Sequence, residues 1–235
     1  MALNKLLTNF YRKYLKKKSR FAGKSPEETF GEIYKTNYWK GAESVSGKGS
    51  DLDQTQVVIE ELNRLIKQLE LGSLLDIPCG DFLWMQHVNL GDIQYYGADI
   101  VDELIKDNQQ KFKADNLNFS TVNLIKDPLP STDMIFTRDC LVHLSYDDIY
   151  HSLKNIKSSG FEYILTTTFV DRNTNEDIIT GSWRAINLQI EPFNFPTPIE
   201  LIDEQCTQGN GKYRDKHLGL WKVDDITLPS EAYKE

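Results

Sequence analysis

Three acids placed at the ends of apolar runs carry the first chemical hint. The stretch SLLDIPCGDFLWM (73–85) leads from apolar residues into Asp76, Gly80 and Asp81, and QYYGADI (94–100) ends at Asp99, 23 residues after Asp76. A glycine at such a point permits positive φ or close backbone approach. An acid at the tip of a second strand can accept both hydrogen bonds of a ribose diol. The dinucleotide fingerprint G-x-G-x-x-G is missing, and acids flanking Gly80 repel a diphosphate. S-adenosylmethionine (SAM), with its sulfonium, α-amino group and ribose, suits such a site better than NAD does. The competing use of Asp76 and Asp81 is as caps of a following helix.

A second constellation lies in RDCLVHLSYDD (138–148), which offers Arg138, Asp139 and His143. In a helical turn Asp139 and His143 share a face. An acid beside an imidazole raises its pKa toward neutral, and a hydroxyl nucleophile needs a base within hydrogen-bond reach. We read His143 as the base, with Asp139 orienting it or touching the cofactor; a packed core histidine in CLVHL is the alternative. Cys79 and Cys140 read as small buried or lining residues. No metal constellation stands out, and none is expected.

The elements needed to position these groups alternate along the chain. Residues 55–71 have the apolar spacing of a helix, which Asp51 or Asp53 could cap. Then follow SLLDI as a strand, FLWMQHVNL as a helix, QYYGADI as a strand and VDELIKDNQQKFKAD as a helix. LNFSTVNL and TDMIFTR read as strands, YDDIYHSLKNIKSS as a helix and FEYILTTTF as a fifth strand. Strands alternating with helices imply parallel βαβ units in an open, doubly wound α/β sheet. The next stretch, 170–198, is long and irregular where a helix would be due. IELIDEQC and HLGLWKV then suggest an antiparallel hairpin at the sheet edge.

Taken in order, LLDIPCGDF, YYGADI, NFSTVNLIKDPLP and DMIFTRDCLVHLS resemble the successive motifs of class I SAM-dependent methyltransferases, over residues 55–170. Bacterial enzymes that methylate sugars and glycan precursors look nearest. Pro78 and Cys79 stand where those enzymes usually have a glycine-rich loop. The resemblance implies a Rossmann-like seven-stranded sheet of order 3-2-1-4-5-7-6 and SAM as cofactor. It puts Asp76, Pro78, Gly80 and Asp81 beside the methionine part, Asp99 on the ribose, and Ile100, Asn123 and Leu124 around the adenine. Arg138 and Asp139 then fall near the methyl group. The implied activity is methyl transfer to a hydroxyl of a sugar, nucleotide-sugar or surface-glycan intermediate. Other small-molecule, membrane-bound or nucleic-acid acceptors, or a SAM-binding module without turnover, stay open.

Residues 25–50 interleave aromatics with Gly and Ser, which suits a lid. Ser46 and its neighbours could hold the methionine carboxylate, Trp39 could shield the sulfonium, and Tyr38 could touch the acceptor. In the irregular stretch, Asn175, Trp183 and Asn187 suit a polyhydroxylated acceptor, and Arg184 suits a phosphate on it.

Charge divides the chain. Residues 1–24 hold eight Lys or Arg and no acid, while the remainder holds 19 basic and 35 acidic residues. Leu3, Leu6, Leu7, Phe10 and Tyr14 recur at helical spacing in that basic stretch, as in helices that lie on anionic membranes, on partners or on their own domain. An acidic body argues against broad nucleic-acid capture. We therefore divide the chain into an arm and lid (1–50) and a catalytic domain (51–235). No apolar run reaches the ~18 residues of a membrane span. Neither a secretory signal nor paired cysteine spacing is seen, so a cytoplasmic site is expected, with membrane association through the arm possible.

Overall fold

The computed structural model describes residues 19–228, so most of the basic arm lies outside the described residues. Helix α1 (Pro26–Lys35) starts at a capping box in which Ser25 and Glu28 satisfy each other's backbone N–H. Helix α2 (Leu52–Gln68) buries Val58, Leu62, Leu65 and Ile66 on one stripe. Asp51 stands at its N-cap without bonding the helix. Its carboxylate accepts the Glu43 N–H, and Glu43 in turn accepts the Leu52 N–H.

Seven strands follow: β1 (Ser73–Asp76), β2 (Gln94–Asp99), β3 (Leu117–Thr121), β4 (Met134–Thr137), β5 (Tyr163–Phe169), β6 (Glu200–Asp203) and β7 (Lys216–Lys222). Helices α3 (Asp102–Lys111) and α4 (Tyr146–Ser158) connect the parallel strands. The sheet order is β3-β2-β1-β4-β5-β7-β6, with β1 to β5 parallel and β7 antiparallel to both its neighbours. This is the order expected, including the edge hairpin.

Both faces of the sheet are covered, as a parallel sheet requires. Leu75, Ile135 and Ile164 face a core that α4 shares with Ile186, Leu188, Phe193 and Phe195 of the irregular stretch. Leu74, Met134 and Leu165 face the other core, under α2. The irregular stretch therefore occupies the layer where a helix would sit.

One element differs from expectation. FLWMQHVNL is not a helix; it is a series of turns with a single 3-10 turn at Met85–His87. Gly80 and Phe82 both have positive φ, near 56° and 58°. A positive φ is incompatible with a continuing right-handed helix. The apolar residues that suggested helical spacing are buried singly: Phe82 packs edge-on against Phe119 and Trp84 against Phe136.

Candidate functional site

The carboxyl ends of β1, β2 and β4 open into a pocket of about 1140 Å³, its open mouth included. In an open α/β sheet this is where ligands settle. Its wall includes all eleven residues expected at the cofactor: Asp76, Pro78, Gly80, Asp81, Asp99, Ile100, Asn123, Leu124, Arg138, Ser46 and Trp39, together with Asp139 and His143.

Asp76 is buried at the end of β1 and accepts the Tyr95 hydroxyl at 2.7 Å. Burial pushes its carboxyl up to about 8, against the opposing pull of that hydrogen bond. Asp99 accepts the Val101 N–H at 3.0 Å through Oδ1 and the Gly80 N–H at 3.3 Å through Oδ2. Burial raises it to about 6, with the backbone bonds opposing. Each Asp99 oxygen keeps a lone pair for a ligand, enough for the two hydroxyls of a ribose. The Gly80 N–H is spent on Asp99 and the Cys79 N–H on the Ala98 carbonyl. Capping does not explain Asp76, because no helix begins there.

The segment read as a lid is fastened at both ends. Asp81 accepts the Ser44 hydroxyl and the Val45 N–H, both at 3.0 Å. Ser46 sits so close to Gly80 that a Cβ there would fall 2.2 Å from its Oγ, and this contact selects glycine as firmly as φ does. At the other end Glu27 accepts the Asn123 amide at 2.8 Å and pairs with Lys126 at 2.6 Å. Lys126 and Asn123 hold the Glu27 carboxyl down to about 2. Between these anchors, Phe30, Ile33 and Tyr34 of α1 line the pocket. None of the three was singled out from sequence, although the pattern Ser25-Pro26-Glu27-Glu28 is a helix start that would have placed them.

Around His143 the arrangement is only partly the expected one. His143 Nδ1 faces the Ser182 carbonyl at 2.8 Å. A carbonyl only accepts, so Nδ1 carries the proton and Nε2 keeps its lone pair. The ring stacks on Trp39 of the lid, with centroids 4.7 Å apart. Burial pushes its pKa down to about 4, so the imidazole is neutral at pH 7 rather than tuned upward. Asp139 does not orient it. Asp139 has φ near 54° and precedes a 3-10 turn (Leu141–His143), so the two side chains do not share an α-helical face.

The Asp139 carboxylate is held instead by Lys216, at 2.6 Å. Lys216 also reaches Glu204 at 3.2 Å, and Glu204 receives two bonds from Arg138, at 2.9 and 2.7 Å. Despite burial, the neighbouring Lys216 and Arg138 charges keep Asp139 ionised, with a pKa of about 2. Arg138 is therefore committed to Glu204 and the Gly49 carbonyl. Glu204 and Lys216 come from the terminal hairpin, and no local motif marks them. Among the described lining residues, four are aspartates and the single arginine is already paired.

The residues expected to hold the acceptor lie elsewhere. Arg184 is buried and gives its guanidinium to the carbonyls of Leu141, Leu144 and Glu176. It braces the turn that carries His143, with each of its three nitrogens already donating to a carbonyl. Asn175 and Asn187 bond each other and nearby backbone, pinning the irregular stretch. Their amides satisfy buried carbonyls that would otherwise be costly. Tyr38 is exposed and packs on Phe21, outside the pocket. Trp183 is 43% exposed, edge-on to Tyr213 at 5.0 Å, and also outside the pocket wall. Among the described residues no cluster could hold a metal ion.

No protein-family model and no curated protein matches the sequence. Solved structures do match. The chain is similar to human N-acetylserotonin methyltransferase in complex with SAM, at 14% identity and TM-score 0.56, over 85% of this chain and 60% of that one. It is also similar to PigF with SAH (12% identity, TM-score 0.53, 72% of this chain and 55% of that one). A third is magnesium protoporphyrin IX methyltransferase from Synechocystis PCC 6803 with bound SAM (14% identity, TM-score 0.51, 66% and 82%). The chain thus spans a little over half the length of the first two. Sheet order and these likenesses agree: the chain has the Rossmann-like α/β fold of the class I SAM-dependent methyltransferases.

Proposed function

We propose that the protein is a SAM-dependent methyltransferase that methylates a hydroxyl of a sugar, nucleotide-sugar or surface-glycan intermediate. The observation that carries the cofactor assignment is the make-up of the pocket wall: Asp76, Asp81 and Asp99 face it, while Asp139 and Arg138 are paired off with Lys216 and Glu204. Such a wall attracts a sulfonium and an α-ammonium and disfavours a diphosphate. Asp99 would take the ribose, Ile100, Asn123 and Leu124 the adenine, and Asp76, Gly80 and Asp81 the methionine end. SAM, when bound, supplies the electrophilic methyl group.

What remains is for the chain's own residues to place and deprotonate the acceptor. Among the described residues, His143 Nε2 and Asp139 Oδ1 have no hydrogen-bond partner. Both accept hydrogen bonds, so they call for a donor, which an acceptor hydroxyl provides. As the oxygen attacks, its proton passes to one of them. An imidazole with a pKa of about 4 is a modest base, so orientation of the nucleophile is its larger contribution. The lid residue Trp39, stacked on the ring, fixes its plane and keeps water off it.

The same geometry narrows the acceptor. Among the described residues lining the pocket, the one Arg or Lys is Arg138, already paired with Glu204, so none is left to face a phosphate at the reacting end. A neutral hydroxyl reacts there, and any phosphate of a nucleotide-sugar lies outside the mouth. The half-exposed indole of Trp183, outside the pocket wall, offers a flat face for a sugar ring. The test is transfer of labelled methyl from SAM to a panel of neutral glycosides, nucleotide sugars and lipid-linked saccharides. Labelled saccharide, lost in His143→Ala, supports the reading. SAM binding with no transfer to any saccharide, but transfer to an amine or nucleic acid, overturns the acceptor assignment.

A further inference from the structure

We propose that residues 1–24 dock this chain on an anionic lipid surface, with the mouth of the pocket turned toward the lipid. The inference goes beyond the methyl-transfer reading and does not depend on it. Two independent features carry it, one of charge and one of attachment.

The arm carries eight positive charges and no acid, and residues 25–235 sum to 19 − 35 = −16. An anionic bilayer therefore attracts the arm and repels the rest, so the contact is confined to wherever the arm joins the body. Of the eight cations, Arg20 and Lys24 are taken by Glu32, which leaves the six in residues 1–18 for the lipid. The apolar residues Leu3, Leu6, Leu7 and Phe10 interleave with those cations. Capture of nucleic acid needs the charge alone, whereas insertion at a lipid interface needs both.

The junction lies beside the segment that holds His143. Phe21 is buried against Gly181, where a Cβ would fall 2.9 Å from its ring and 2.3 Å from Thr29 of the lid helix. The Gly181 N–H donates to the His143 carbonyl at 2.8 Å, and the Ser182 carbonyl holds the His143 ring. A surface that holds the arm thus lies beside the loop that orients His143 and beside the start of the lid. Trp183, two residues further on, is 43% exposed.

Co-sedimentation of the full chain with vesicles of phosphatidylcholine, with and without phosphatidylglycerol, tests the docking. Partition at least about thirty-fold stronger onto the anionic vesicles is expected, well within what six basic residues can supply. The triple substitution Lys16→Gln, Lys17→Gln, Lys18→Gln should remove most of that preference, and Leu6→Ser with Leu7→Ser should weaken binding to the same vesicles. Equal partition onto both vesicle types overturns the proposal. So does binding to homopolymeric RNA that displaces the vesicles and survives the leucine substitutions. Brominated lipid should quench tryptophan emission in the parent chain and quench it less in Trp183→Phe; identical quenching overturns the orientation. Calorimetry with S-adenosylhomocysteine (SAH) on the same preparations separates the two readings: a chain that binds SAH and ignores anionic vesicles refutes only the docking.

Discussion

Replacing Asp76 by Asn should stabilise the ligand-free protein at high pH while weakening its hold on SAM. Asp76 is 2% exposed, and its pKa rises from 3.8 to about 8. That shift corresponds to an ionisation penalty on the order of 5 kcal/mol. The sign follows from linkage: a group with a raised folded-state pKa contributes stability that is complete below its unfolded pKa and lost as pH rises through the folded value. For Asp76 the loss runs from about pH 4 to about pH 8. Asparagine keeps an acceptor for the Tyr95 hydroxyl and has nothing to ionise. The variant should therefore gain on the parent with pH, by at least about 2 kcal/mol between pH 5.5 and 8.5, a fraction of the full penalty because water enters the open pocket. Urea unfolding of both proteins at the two pH values measures this. A cation bound beside Asp76 favours the ionised form, so the parent's preference for SAM over SAH should rise over the same pH interval, and the variant's should not. Parallel stability profiles, or a SAM preference that is flat with pH in the parent, would refute the electrostatic reasoning.

Two further substitutions probe the acceptor side. Lys216→Met takes from Asp139 the ammonium at 2.6 Å and leaves Glu204 on Arg138 alone, and loss of one partner from such a buried network costs about 3–5 kcal/mol in chemical denaturation. The double variant Lys216→Met, Asp139→Asn should recover much of that loss, and additivity of the two single effects would show that the pair is not coupled. Arg184→Met removes three bonds from a charged donor to carbonyls and should cost at least about 2 kcal/mol. It should also slow transfer while leaving SAH affinity unchanged by calorimetry; an equal loss of SAH affinity would mean that Arg184 supports the whole pocket.

Residues whose roles depend on backbone position were legible in the sequence. Short apolar runs alternating with helical segments gave five strands, and two final runs the hairpin. The ends of those strands gave Asp76, Gly80, Asp99 and Asn123, because a strand's tip in a parallel sheet has only one place to point. FLWMQHVNL misled because singly buried aromatics can imitate helical spacing when Gly80 and Phe82 take positive φ. Asp139 and His143 were located correctly, but their partners were not. Lys216 and Ser182 reach them from 77 and 39 residues away, and nothing local encodes such contacts. Arg184, Asn175 and Asn187 failed as substrate ligands for a related reason. Their polar groups read as available for a sugar, yet an irregular stretch packed as a layer must satisfy its own carbonyls first. The segment read as a lid gives Trp39, Val45, Ser46 and Ser50 to the pocket wall, and its clasp through Asp81 gives that acid a partner the sequence did not suggest.

Direct calorimetric titration with SAM, SAH and NAD, on the parent chain and on Asp99→Ala, tests the central claim most directly. The account predicts heat with SAM and SAH, none with NAD, and affinity at least tenfold weaker in Asp99→Ala, near the ~1.4 kcal/mol scale of a hydrogen bond to a charged group. Saturable NAD binding without any SAM or SAH binding, or full SAM affinity after loss of the Asp99 carboxylate, would contradict it.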